Sequence, residues 1–99
     1  MKTIFITGAS SGIGRETTKY FSNHGWRVIA TMRNLQKAGE LSSIPNVVLM
    51  PLDLMNPEQI KETCRKALEQ YDIDVLFNNA GYGICLLYTS PSPRDRTRS

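Results

Sequence analysis

Ninety-nine residues, 40 % of them hydrophobic and 21 % charged, make one small domain, and a chain this short buries only a little over about 60 % of the surface it exposes unfolded. No run approaches the ~18 apolar residues of a membrane helix, and the three-residue apolar stretch of "MKTIFITGAS" reads as no signal peptide, so the expectation is a cytoplasmic protein with no membrane partner. The formal charge is +3, but residues 1–84 hold nine Lys and Arg against eight Asp and Glu, with the remaining surplus in Arg94, Arg96 and Arg98; no helix carries a clustered basic face, and no nucleic-acid partner is expected.

The first element in chain order is a strand, Lys2 to Thr7, a β-branched and aromatic run that stops at Gly8 and reads as buried on both faces. A helix is predicted from Ile13 to His24, with Ile13, Thr17, Tyr20 and Phe21 as its apolar stripe and Gly25 as the left-handed residue that ends it. Trp26 to Thr31 is a second strand. Asn34 caps a short helix reaching about Leu41, and Asn46 to Asp53 contains a third strand interrupted by Pro51.

The next helix has the clearest punctuation: Asn56 as cap, Pro57 at the first helical position and Gln59 three residues past the cap. Ile60, Cys64, Ala67, Leu68 and Tyr71 fall on one face at helical spacing, while Glu58, Glu62 and Glu69 fall on the outer side. Asp74 to Asn79 is a fourth strand. The order βαβαβαβ predicts parallel strands joined by right-handed crossovers, with helices on both faces. In the nucleotide-binding form of that architecture the strands lie in the order 3-2-1-4.

Chemistry concentrates in "TGASSGIG", Thr7 to Gly14, between the first strand and the first helix, with glycines at 8, 12 and 14. Such a turn lets backbone approach a pyrophosphate, and the helix that follows presents unpaired N–H groups and a partial positive charge to it. It is not a P-loop, since Ile13 stands where the second glycine of that motif belongs. Cys64 and Cys85 have no metal spacing and suggest no disulfide framework, so a reducing compartment suits them and no metal site is expected. The lone histidine, His24, sits in a last helical turn where a cation is favoured, which gives it no catalytic role.

Together with "NNAG", Asn78 to Gly81, this turn makes residues 1–84 resemble the N-terminal part of the classical short-chain dehydrogenase/reductase family. The resemblance implies a doubly wound parallel α/β sheet, Rossmann-like, of which this chain holds the βαβαβαβ part. It also implies that Gly8, Ser10, Ser11, Gly12, Ile13 and Gly14 line a pyrophosphate, that Asp53 and Leu54 of "LDL" flank the adenine, and that Asn78, Asn79 and Ala80 meet the adenosine ribose.

The end of the second strand distinguishes the two nicotinamide cofactors. A site for NAD places Asp or Glu there to bond the ribose 2′-hydroxyl, whereas this chain has Thr31, Met32 and then Arg33. A guanidinium pairs bidentately with phosphate, so NADP is the expected cofactor, with NAD as the alternative. Arg15, in the first helical turn, is either an assistant to Arg33 or a solvated neighbour of Glu16.

Family chemistry would be hydride transfer between NADP(H) and an alcohol or carbonyl substrate, with the tyrosine and lysine of a Y-x-x-x-K motif. Four places after Tyr20, Tyr71, Tyr82 and Tyr88 stand His24, Val75, Leu86 and Ser92. No catalytic residue is therefore assigned, and the chain is expected to be inactive by itself. Residues 85–99, with "CLLYTSPSPRD", resemble the translation of a sequencing adapter and are expected to form a non-native or disordered tail without function. A non-catalytic, redox-sensing dinucleotide module is the main alternative; an epimerase-like extended reductase is disfavoured by the glycine spacing and "NNAG". A homo-oligomeric parent stays open.

Overall fold

Side chains of β1, Thr3–Thr7, alternate between two apolar clusters: Ile4 and Ile6 enter one and Phe5 the other. Strand β2, Arg27–Met32, divides in the same way, with Val28, Ala30 and Met32 on the first side and Ile29 on the second. Both faces are buried, which is why these strands are continuously apolar. The computed structural model that shows this describes residues 1–10, 12–53 and 55–78.

Strands β3, Val47–Pro51, and β4, Val75–Asn78, complete a parallel sheet of order β3-β2-β1-β4. This is the order predicted from the alternation of elements. Phe5, for example, registers with Ile29 on one side and Leu76 on the other. Pro51 has no N–H for the ladder and stands at the end of the edge strand. Phe21 of the first helix, together with Ala38 and Leu41, covers one face of the sheet; Ile60, Cys64 and Ala67 of the helix before β4 cover the other.

Helix α1 spans Gly12–Asn23, close to the predicted range, but its buried positions are Gly14, Thr18 and Ser22. Ile13 and Tyr20 of the predicted stripe are 66 % and 59 % exposed. The helix rests on the sheet through its small residues, and Thr18 satisfies its buried hydroxyl by donating to the Gly14 carbonyl at 2.9 Å. Its C-terminus is closed by a Schellman arrangement: the Trp26 N–H donates to the Phe21 carbonyl and the Gly25 N–H to that of Ser22. Gly25 has φ 81°, and the Phe21 and Trp26 rings meet edge to face at 4.9 Å.

Asn34 caps the next segment as predicted, its side chain accepting from the Gln36 N–H at 3.0 Å. That segment, Leu35–Ser43, is 3-10 rather than α-helical and is broken at Gly39, with φ 56° and ψ −125°. Glycine alone adopts this conformation at little cost.

Helix α2, Pro57–Gln70, starts at its predicted cap, where the Asn56 side chain accepts from the Gln59 N–H at 3.2 Å. Gln59 does not return that bond to Asn56; its Oε1 instead accepts from the Asp53 N–H at 2.6 Å. The buried face also differs by one member. Thr63 is buried, donating its hydroxyl to the Pro51 carbonyl at 2.7 Å, while Leu68 is 36 % exposed. Cys64 is buried as expected. Glu62 and Glu69 lie on the outer side and pair with Arg65 at 2.8 and 3.0 Å.

Asn46 locks the end of the sheet where the strands begin, its Nδ2 donating to the carbonyls of Ser22 and Trp26 at 2.9 and 2.6 Å. On the other side of the sheet, Asp74 and Thr3 exchange two bonds, the Thr3 N–H to Asp74 Oδ2 at 2.9 Å and the Asp74 N–H to the Thr3 carbonyl at 2.8 Å.

Candidate functional site

The opposite end of the sheet opens into a cleft of about 430 Å³. Backbone bonds run past the strands and hold their exits level: the Ala9 N–H donates to the Thr31 carbonyl and the Leu52 N–H to that of Met32, each at 2.9 Å. Thr7, Gly8 and Ser10 form one wall, Met32, Arg33, Asn34 and Lys37 a second, and Leu52, Asp53 and Met55 the third. Parallel strands put all three exits at their C-terminal ends, the usual position for ligands in open α/β sheets.

The glycine turn is shaped by Gly8 and Gly12, with φ of 65° and 61°, and is anchored between them by the fully buried Ala9. A Cβ built on Gly12 would meet nothing within 4 Å. Backbone conformation, and not lack of room, is therefore what asks for glycine there. Gly14, buried on α1, lets the start of that helix sit close to the sheet. The first turn of α1 leaves amides without intrahelical acceptors beside the turn, a suitable cradle for a diphosphate.

Side chains give the cleft its charge. Arg33 and Lys37 both line it, and among the described residues neither side chain forms a hydrogen bond or ion pair. Thr31 and Met32, where an acid for a ribose diol would stand, are 0 % and 2 % exposed. A carboxylate at either place would be buried against the β1–β2 core. Asp53 is partly occupied: one carboxylate oxygen accepts from the Met55 N–H at 3.0 Å, which orients it on the third wall.

Arg15 does not enter the cleft. Its Nη1 donates to the Ser10 carbonyl at 3.2 Å and its Nη2 lies 3.7 Å from Glu40 Oε2. Lys19 hydrogen-bonds the same carboxylate. Lys19 first, by that bond and by its charge, and Arg15 more weakly hold the Glu40 carboxyl below its ordinary value. His24 is exposed, stacked on Tyr20 with its Nδ1 2.7 Å from the Tyr20 carbonyl, as fits a last-turn residue.

Of the residues expected to bind cofactor, Gly8, Ser10, Arg33 and Asp53 line the cleft, Gly12 and Gly14 open α1, and Ile13 turns its side chain to solvent. Asn78 pairs with Thr7 at the end of β4. Ser11, Leu54, Asn79 and Ala80 lie outside the described residues. Lys37 is the residue that sequence reasoning missed. The available signal was its position four residues past Arg33, just inside the Asn34 cap.

A parallel doubly wound sheet with a glycine turn leading from its first strand defines the Rossmann-like, nucleotide-binding class of α/β protein. The model of the short chain dehydrogenase family matches residues 2–96, so the chain belongs to that family, and the match continues past Gly81, the last residue of "NNAG". Serine 3-dehydrogenase of Rhizobium radiobacter is 36 % identical over 95 residues, covering 93 % of this chain and 37 % of its own. The 3-oxoacyl (acyl-carrier-protein) reductase FabG of Thermotoga maritima is 42 % identical over 86 residues, covering 81 % and 35 %. The crystal structure of a short-chain dehydrogenase from Streptomyces avermitilis superposes with a TM-score of 0.74 at 32 % identity, over 79 % of this chain and 30 % of that one. The chain thus spans about a third of the length of the curated relatives it matches. Among the described residues no helix is long and apolar enough to cross a membrane.

Proposed function

We propose that these residues carry the dinucleotide-binding part of an NADP(H)-dependent oxidoreductase that moves a hydride between the nicotinamide and an alcohol or carbonyl substrate. The observation that carries the cofactor choice is the pair Arg33 and Lys37, two cations on one wall of the cleft with no partner among the described residues. A unit charge about 4 Å from another gains roughly 4 kcal/mol at an effective dielectric near 20, and a 2′-phosphate offers more than one. The glycine turn and the first amides of α1 would hold the diphosphate, Asp53 would stand beside the adenine, and Asn78 would approach the ribose from β4.

Binding and chemistry separate in this reading. The four tyrosines lack a lysine four residues on, so the 99 residues bind cofactor without turning over. Fluorescence titration of the purified chain with NADPH and NADH tests the first half. Tighter binding of NADPH is expected, and equal affinity would overturn the cofactor choice. Absorbance at the nicotinamide band with a panel of carbonyl compounds tests the second, where any clear turnover contradicts it. A second reading is a non-catalytic, redox-sensing module in which the glycine turn and Arg33 would serve binding alone. The complete gene separates the two: a downstream Ser and Y-x-x-x-K favour the enzyme, a stop codon the sensor.

A further inference from the structure

Arg15 bridges two segments behind the cleft, the glycine turn and the 3-10 segment. Through Nη1 it holds the Ser10 carbonyl of the glycine turn, and through Nη2 it faces Glu40 of the segment that carries Lys37. Between them lies Gly39. A Cβ at that position would stand 3.1 Å from Arg15 Nη2, close enough that the guanidinium would have to give by a few tenths of an ångström, over a backbone whose φ of 56° already excludes most residues. Arg15 is only 24 % exposed, and a planar fork reaches two partners on different segments where a lysine ammonium is a point charge.

We propose that Arg15 is a positioning residue that couples the glycine turn to the 3-10 segment. It sets the distance from the diphosphate cradle to the Arg33–Lys37 wall, and so sharpens selection for the 2′-phosphate without itself touching the cofactor. The selectivity part rests on the NADP(H) reading above; the mechanical part does not.

The test uses the purified chain with Arg15→Lys, Glu40→Gln and Gly39→Ala. Amide hydrogen exchange of the free protein should quicken in both 8–14 and 35–43 in each variant, with 57–70 unchanged. Exchange that quickens in one segment alone, or in neither, overturns the coupling. In titrations NADPH should weaken about two- to fivefold, the range set by exposed ion pairs, with NADH weakened less. Equal loss for both cofactors removes the selectivity role. Should the parent chain bind neither dinucleotide, the cofactor reading fails, and exchange still decides the coupling. Glu40→Gln alters a 58 % exposed side chain, so it keeps the test open if Gly39→Ala does not fold.

Discussion

Thr31 donates its hydroxyl to the Ile6 carbonyl at 2.8 Å, both residues having no exposed surface. The bond ties β2 to β1 just below the cleft, where the strand ladder ends and the glycine turn departs. It makes the layer beneath the cleft a stability element. Thr31→Val keeps the shape but leaves the Ile6 oxygen without that donor, and about 1–3 kcal/mol of stability is expected to be lost. Urea unfolding checks the loss. Thr31→Asp would bury a charge and should unfold the chain outright, so cofactor preference cannot be reversed at this position.

Arg33→Ala is expected to weaken NADPH binding by roughly tenfold or more, the worth of a charge-assisted hydrogen bond at about 1.5–3 kcal/mol, and Lys37→Ala by less, because an ammonium on a flexible stem makes a single point contact. Neither change should move NADH affinity. Titrations at low and high salt check both, since the advantage of NADPH over NADH should shrink as salt screens the cleft.

Gly12→Ala meets no neighbour, and its cost is confined to a left-handed φ of 61°, roughly 1–2 kcal/mol. Gly12→Asn should cost less, since asparagine visits that region more readily. A thermal melt that ranks glycine above asparagine above alanine would support this account; alanine equal to glycine would contradict it.

The Glu40 and Glu62 carboxyls are held below their ordinary value of 4.5, Glu40 by Lys19 and then Arg15, Glu62 by Arg65. A depressed folded pKa gives stability that is fully present above the unfolded value and is lost as pH falls through the folded one. The melting temperature should therefore hold from neutral pH to about 5 and decline below the ordinary carboxylate range. Both groups are exposed, so the effect should be small, reduced by salt, and flattened in Glu40→Gln. The Arg65 guanidinium is pushed up, by Glu62 first and then by Glu69, so its share is lost only in strong alkali.

Much of this fold was legible because short-range rules and the global topology agree. The apolar runs at Thr3–Thr7 and Arg27–Met32, the caps Asn34 and Asn56, and Gly25 at the helix end all say locally what the sheet requires. The stripe read for α1 held at Phe21 and missed elsewhere for a physical reason: periodicity follows large apolar side chains, whereas this helix also packs through Gly14, Thr18 and Ser22 and leaves Ile13 and Tyr20 outside. Gln59 escaped because its partner, the Asp53 N–H, precedes the cap instead of belonging to it. Lys37 reaches the cleft from a 3-10 segment broken at Gly39, and the α-helix expected there hid that placement. The glycine turn was readable as a motif, but that Arg15 braces it from behind depends on a contact with Glu40, 25 residues away, that spacing does not reveal.

Asn46, joined to Ser22 and Trp26 at the rear of the sheet, makes one amide answer for two carbonyls. Asn46→Ala would orphan both together, so the loss should be felt at the end of α1 and at the start of β2 at once.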